Sequence, residues 1–291
     1  MKFSSYLACL LMTCIFSAFA QEKVVLISGG TGGLGLATAK AFERKGWKVW
    51  AGYRGQIPEE KNIHFIYLDV TKEASVQEAV SKIIQEEGRI DALVNNAGYG
   101  LIGAEEDFSI EEVQKLLDVN FLGCLRLIQA VLPSMRSQMA GHIINISSTS
   151  GIRAVPGLGL YAASKFALEG MSESLAVTLS PWNIHVSLVE PGTVNNQWTT
   201  HCCLSSNPTK EPIYKKMSQA LSEKLSKWAP GGQDCNDVAA LIVKIASDDN
   251  PDLRYQTWQK AQDVVAKKLV DLTGNKMRDE QKAFFKSLIG Q

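Results

Sequence analysis

Neither sign of charge is in excess: 30 Lys and Arg stand against 30 Asp and Glu in 291 residues. With no net field to gather nucleic acid or an anionic membrane surface, the expected partner is a neutral or locally recognised small molecule. Cysteine is scarce, 6 in all, and Cys9 and Cys14 fall in an apolar leader. The remaining four, Cys124, Cys202, Cys203 and Cys235, make no disulfide framework. Cys202 or Cys203 could pair with Cys235 in an oxidising compartment, and free thiols acting as small apolar fillers are the reading adopted. The 4 His are scattered, at His64, His142, His185 and His201, so no metal site is expected. There is no internal repeat, low-complexity tract or linker to split the chain.

The uncharged apolar stretch of the leader is too short to span a bilayer with ease. The first 20 residues, "MKFSSYLACLLMTCIFSAFA", hold one Lys, an uncharged stretch of about 15 residues and an Ala18-Phe19-Ala20 cleavage pattern, against the about 20 apolar residues that a spanning helix needs. Residues 1–20 are therefore expected to be a secretory signal peptide, which sends the protein to the secretory pathway, the periplasm or the outside. An uncleaved segment tethering the fold to a membrane is the alternative.

Beyond the leader the chain is regularly patterned. The runs "KVVLIS", "KVWAGY", "IHFIYL", "DALVNN", "HIINIS" and "HVSLVE" read as strands. Apolar residues at three- and four-residue spacings predict helices over Gly35 to Lys45, Ser75 to Glu87, Ile110 to Leu132 and Tyr161 to Leu179, with Pro133 and Pro181 ending the last two. Strands alternating with helices give an α/β fold, a doubly wound parallel sheet covered on both faces, in one domain over residues 21–291. The pattern loosens over residues 193–232. That stretch is expected to lie over the substrate, either as a mobile lid or as a helical excursion with a packed aromatic face.

The stretch "SGGTGGLG" puts 5 glycines in the 7 positions from Gly29 to Gly35, after a strand and before a helix. Glycine supplies positive φ for a sharp turn and lets a pyrophosphate reach backbone N–H groups at a helix N-terminus. A dinucleotide fits this Rossmann-type geometry through Gly29, Gly33 and Gly35. A triphosphate loop is excluded, because Leu36 and Ala37 stand where Lys and Ser or Thr would close it. The end of the second strand lacks the acid that would accept the ribose hydroxyls of NAD: "VWAGYRG" carries only Arg54. Its guanidinium could hold a 2′-phosphate, which favours NADP(H), with NAD(H) still possible.

Tyr161 and Lys165 in "YAASK" are four apart and share a helix face. An ammonium beside a phenol is expected to lower its pKa and provide an acid-base group. Ser148, just past the strand "HIINIS", could point its hydroxyl into the same cleft.

Together these residues resemble the short-chain dehydrogenase/reductase family, from about Lys23 onward. The family's glycine signature is matched with Ser28 in place of the usual Thr, and its catalytic tetrad by Asn120 in "DVNFLG", Ser148, Tyr161 and Lys165. The resemblance implies a cofactor lined by Ser28, Gly29, Gly33, Leu34 and Gly35, by Asp69 and Val70, and by Asn96, Ala97 and Gly98. Tyr161, Lys165, Pro191, Gly192, Thr193 and Val194 complete that lining. Asn196 stands where the family often has Thr. "YGLIG", "SKFALEGMSESLAV" and "LRYQT" are similar to the branch with 17-beta-hydroxysteroid and retinol dehydrogenases.

The resemblance further implies hydride transfer between nicotinamide and a carbonyl carbon. Tyr161 would give the proton, Ser148 would bind the oxygen, Lys165 would grip the ribose, and Asn120 would hold a water on a proton path. It also implies a homo-oligomer, a dimer or tetramer. Tyr99, Leu101, Ile102, Val155, Leu158, Leu160, Trp198, Tyr214 and Met217 are expected to line an apolar pocket for a lipophilic alcohol or ketone. The rival class is a catalytically inactive NADP-binding regulator, which would have no reason to keep the four tetrad residues.

Overall fold

The computed structural model describes residues 22–208 and 210–269, with Glu280, Ala283, Phe284, Lys286, Ser287 and Gly290. The leader lies outside the described residues.

Eleven strands and eight α-helices alternate along the described chain. In order they are β1 (Val24–Ile27), α1 (Gly33–Glu43), β2 (Lys48–Tyr53), β3 (His64–Tyr67), α2 (Glu73–Glu87), β4 (Ala92–Asn95), β5 (Leu101–Ile102), α3 (Ile110–Leu117) and α4 (Gly123–Gln138). Then come β6 (Gly141–Ile146), α5 (Gly159–Thr178), β7 (Ile184–Glu190), β8 (Val194–Asn195), β9 (Cys203–Leu204), α6 (Pro212–Trp228), β10 (Gln233–Asp234), α7 (Cys235–Ala246), β11 (Arg254–Gln256) and α8 (Gln259–Leu269).

Seven strands form one parallel sheet in the order β11-β7-β6-β4-β1-β2-β3. Successive side chains of a strand point to opposite faces, and both faces are apolar. Val24, Leu26, Leu93 and Ile143 pack under α2 and α4 with Val76, Ile83, Leu127 and Met135. Val25, Ile27, Val94 and Ile144 pack against α1 and α7 with Phe42, Val238 and Ile242. The winding direction reverses between β1 and β4. At such a switch point the loops leaving the carboxyl ends diverge and open a crevice.

All six expected strands are present, and β11 in "RYQ" is a seventh. Pro133 does not end its helix: α4 runs through it to Gln138. Proline removes one N–H bond from a helix interior, but here the last turn is anchored from outside. Gln138 accepts from Ile90 N–H at 3.3 Å and donates to Ile90 O at 3.2 Å, and buried Met135 fills the space above Gly141. Nor is Ile110 to Leu132 one regular helix, since a π-turn over Asp118–Leu122 joins α3 to α4. The loose region holds α6, which buries Met217, Leu221 and Leu225.

Between β6 and β7, His142 is buried and its Nε2 lies 3.0 Å from Ser187 Oγ. Burial pushes its imidazole down to about 3, helped by the His185 ring and opposed by Asp248. The unfolded chain binds a proton near pH 6.5 that the folded chain refuses. Stability is therefore full above that pH and falls on acidification toward about pH 3, by about 1.4 kcal/mol per pH unit. His142→Asn is expected to remove about one proton's worth of this slope between pH 6 and pH 4, read by urea denaturation at each pH. An unchanged slope would show that another group sets it.

Candidate active site

Between β1 and α1 the backbone must reverse and then start a helix. Gly29 (φ +64°) and Gly33 (φ +51°) supply the left-handed conformations. Gly35 has a different reason: a Cβ there would stand 2.0 Å from Gly29 O and 2.7 Å from Asn96 Nδ2. Leu34 is buried in the core below, which leaves only its backbone toward the crevice. Helix α1 has no side-chain cap at Gly32, and a Cβ at Gly32 would meet nothing within 4 Å. Uncapped N–H groups facing open space make a cradle that fits a dinucleotide pyrophosphate.

Ser28 is buried, and its Oγ accepts from the N–H groups of Asn96 and Ala97, both at 3.0 Å. The Asn96 amide donates back to the carbonyls of Ser28 and Gly29, each at 3.0 Å. Ser28 thus shapes the turn from behind, with its hydroxyl already spent on the β4 loop.

At the far end of the crevice Arg54 is exposed, its Nη1 3.9 Å from Asp69 Oδ1. Burial would raise the Asp69 pKa, but hydrogen bonds from the Thr71 hydroxyl and N–H, with Arg54 and Lys72 nearby, lower it overall. Val70 turns its side chain into the core, where a Cβ on Gly123 would meet it at 2.7 Å, and its carbonyl accepts from Arg126 at 3.1 Å.

Asn120 and Lys165 converge on Gly98. A Cβ at that position would lie 3.2 Å from Asn120 Oδ1 and 3.7 Å from Lys165 Nζ. Asn120 sits in the π-turn, fully buried. It donates to Tyr99 O at 2.9 Å and to Ser164 Oγ at 3.0 Å, and accepts from Tyr99 N–H at 3.1 Å. Its side chain therefore fixes the loop of Gly98 to Gly100 against α5. Lys165 Nζ donates to Ile146 O at 2.7 Å and lies 5.8 Å from the Tyr161 ring centroid. Ser148, in extended backbone after β6, faces the Tyr161 phenol and also accepts from Ser150 N–H at 3.0 Å.

The electrostatics differ from the expectation drawn from charge proximity. Burial raises the Tyr161 pKa above that of a free phenol, and Ser148 pulls against it. The Lys165 ammonium donates to the Ile146 carbonyl. Burial also lowers the Lys165 pKa, against the thiol of Cys124 and the carboxylate of Glu169. The site as it stands favours a protonated phenol ready to donate.

Pro191 and Gly192 come directly after β7. Pro191 O accepts from Thr149 N–H at 2.9 Å, and a Cβ on Gly192 would meet Trp258 Nε1 at 2.9 Å. Thr193 O accepts from Gln233 N–H at 2.9 Å and Val194 pairs in β8 with Gln233, so both are fixed by β10. Cys124, Cys202, Cys203 and Cys235 are free thiols, and no metal-binding cluster occurs among the described residues.

Two features escape sequence reasoning. The Trp198 ring lies on Tyr161, centroids 5.1 Å apart. Beneath the site a buried charge cluster ties four chain segments together. Arg254 Nη2 donates to Glu169 at 3.0 Å and Glu173 at 2.7 Å, and Arg254 Nε lies 3.2 Å from Glu190 Oε1 without hydrogen-bond alignment. Glu169 also accepts from Ser147, beside Ser148. Glu190 accepts from Gln256 at 2.9 Å, yet burial, reinforced by Glu169, still pushes its carboxyl up to about 7. Glu169 one turn beyond Lys165, and Glu190 before Pro191, were the legible signal.

Residues 23–202 match the model of the short chain dehydrogenase family. The chain belongs to that family. It is 36% identical to 3-ketodihydrosphingosine reductase of Bacteroides thetaiotaomicron over 265 residues, 91% of this chain and 98% of that one. It is also 36% identical to human retinol dehydrogenase 8, covering 88% of each chain, in accord with the branch expected from its motifs. Among solved structures, a short-chain dehydrogenase from Streptomyces avermitilis superposes with TM-score 0.78 at 28% identity, covering 91% of this chain and 98% of that one. The protein is an oxidoreductase of this family, with the seven-strand parallel sheet that the fold requires.

Gly35→Ala is expected to lose about 1–3 kcal/mol of stability, because the new methyl must displace the Gly29 carbonyl. Gly32→Ala, in extended backbone and open space, is expected to cost less than about 0.5 kcal/mol. Paired denaturation curves check this, and equal losses would mean that the close approach at Gly35 is not the constraint.

Proposed function

We propose that the protein interconverts a lipophilic secondary alcohol and its ketone with NADP(H), Tyr161 carrying the proton. The observation that supports this best is that Ser148 faces the Tyr161 phenol, with Lys165 Nζ 5.8 Å from the Tyr161 ring centroid and, together with Asn120, beside Gly98 at the carboxyl rim of the sheet. A bound nicotinamide supplies the hydride chemistry.

The chain's own residues do the rest. In the reducing direction the buried, protonated Tyr161 donates to the oxygen as charge develops on it, and Ser148 hydrogen-bonds the same oxygen. Lys165, held by Ile146 O, presents its remaining N–H bonds toward Gly98 and the crevice, where a ribose would lie. Asn120 holds the loop that frames this space. Arg54, exposed at the crevice end with no acid of its own strand beside it, offers a guanidinium to a 2′-phosphate.

The substrate side is apolar. Ile102, Leu158, Met217 and Leu221 form one cluster with Val155, Cys202 and Tyr214 packed against it, and Leu101 forms another with Tyr99 and Leu160. Such a lining suits an alkyl or isoprenoid substituent better than a sugar. The relatives act on a sphingoid ketone and on retinol by their names, both lipophilic.

Tyr161→Phe keeps the ring and removes the proton. It is expected to lower kcat by about 10²-fold or more with NADPH binding unchanged, measured by ketone-dependent NADPH oxidation and by cofactor fluorescence titration. Near-normal turnover would refute the assignment. Arg54→Ala is expected to raise KM for NADPH about tenfold, a loss of about 1.4 kcal/mol, and to leave KM for NADH within about twofold. Tighter binding of NADH than NADPH by the unmodified protein would overturn the cofactor preference.

A further inference from the structure

Trp198 stands directly against the proton-transfer group. Its ring centroid is 5.1 Å from that of Tyr161, with the planes inclined by 56°. Such a tilted contact is a favourable aromatic packing geometry.

Trp198 is held through its backbone and through its ring. Its backbone N–H donates to Asn196 Oδ1 at 2.9 Å, which caps the 3₁₀ turn over Gln197–His201. Its carbonyl accepts from Cys202 Sγ at 3.6 Å, and the pairing of β5 with β9 ties the next residues to the β4 loop. Beneath the six-membered ring lies Gly100, where a Cβ would stand 2.9 Å from Trp198 Cζ2, 3.0 Å from Cη2 and 3.0 Å from Cys202 Sγ. A side chain at residue 100 would push the indole out of this seat.

The geometry points to Trp198, seated on Gly100, as the specificity-determining wall that admits ketones on a slender unbranched chain to Tyr161 and turns away fused-ring ketones. The indole fills the volume beside the phenol that a second ring flanking the carbonyl would need. An unbranched alkyl chain needs no such volume beside the phenol. Rigid shape at a pocket wall discriminates by excluding the wrong substrate, with little gained from the right one.

This rests on Tyr161 being the proton-transfer group, so both are tested together with 2-decanone and 1-decalone, ketones of equal carbon number. The unmodified enzyme is expected to prefer 2-decanone in kcat/KM by about tenfold or more. Trp198→Ala is expected to cut that ratio about tenfold, through a gain on 1-decalone, with KM for NADPH unchanged. Trp198→Phe, which keeps a smaller ring in place should the alanine variant not fold, is expected to fall between. An unchanged ratio in the Trp198 variants, or no preference in the unmodified enzyme, overturns the wall. If Tyr161→Phe is inactive while the ratio does not move, only the wall fails. If Tyr161→Phe stays active, the proton-transfer reading fails with it.

Discussion

Two loops leave the carboxyl ends of adjacent strands, β1 and β4, and the site depends on their being locked to each other. Ser28 Oγ takes two N–H bonds from the β4 loop and the Asn96 amide returns two to the β1 turn. Four hydrogen bonds within a few residues, partly shielded from water, hold two backbones closer than side chains would allow. That is why Gly29 and Gly35 carry no side chain on this contact. The same β4 loop then runs on to Gly98, where Asn120 and Lys165 arrive from the other half of the fold. The glycine turn and the side chains of Asn120 and Lys165 are therefore positioned by one short segment, residues 95–100. A slip of that segment would disturb both at once.

The second constraint is the cost of removing charge from water. Lys165, Glu169 and Glu190 are all buried, and for each of them burial is the largest influence on its pKa. Such groups persist only when partnered, since a lone buried charge is strongly destabilising. Arg254 serves two of the carboxylates and exposed Glu173 as well, while Lys165 is met by the Ile146 carbonyl and by the field of Glu169. The cluster joins the ends of β6, β7 and β11 to the helix that carries Tyr161. It gives the rim of the sheet a rigidity that apolar packing alone would not direct.

The fold was legible in the sequence because both halves of its signal are local. Near-continuous apolar runs in "KVVLIS" and "HIINIS" report two covered faces, and glycines at Gly29 and Gly33 report a backbone that only glycine adopts freely. The tetrad was legible as residue types at matching positions, and the structure sets Ser148 against Tyr161 and brings Asn120 and Lys165 to Gly98. What could not be read were properties set by surroundings. Proximity of Tyr161 and Lys165 along a helix said nothing of where the ammonium would point, so the expected effect on the phenol was reversed by burial. Pro133 looked like an ending because the anchors of the last turn, Ile90 and Gly141, are distant in sequence or lie beyond it. The strand around Arg254 is short and only partly buried, with too little alternation to announce itself.

Asn196 illustrates how a departure from a family pattern can be absorbed. A Cβ on Gly33 in the glycine turn would lie 3.5 Å from Asn196 Cβ, and Asn196 Oδ1 accepts the N–H of Trp198. A threonine hydroxyl can also cap a turn, but the longer Asn side chain reaches the N–H two residues on while its own backbone stays extended. The residue therefore touches the cofactor turn on one side and fixes the wall beside Tyr161 on the other. The segment after β7 is shaped by both the glycine turn and the ring beside Tyr161, so a change at this position moves the two together.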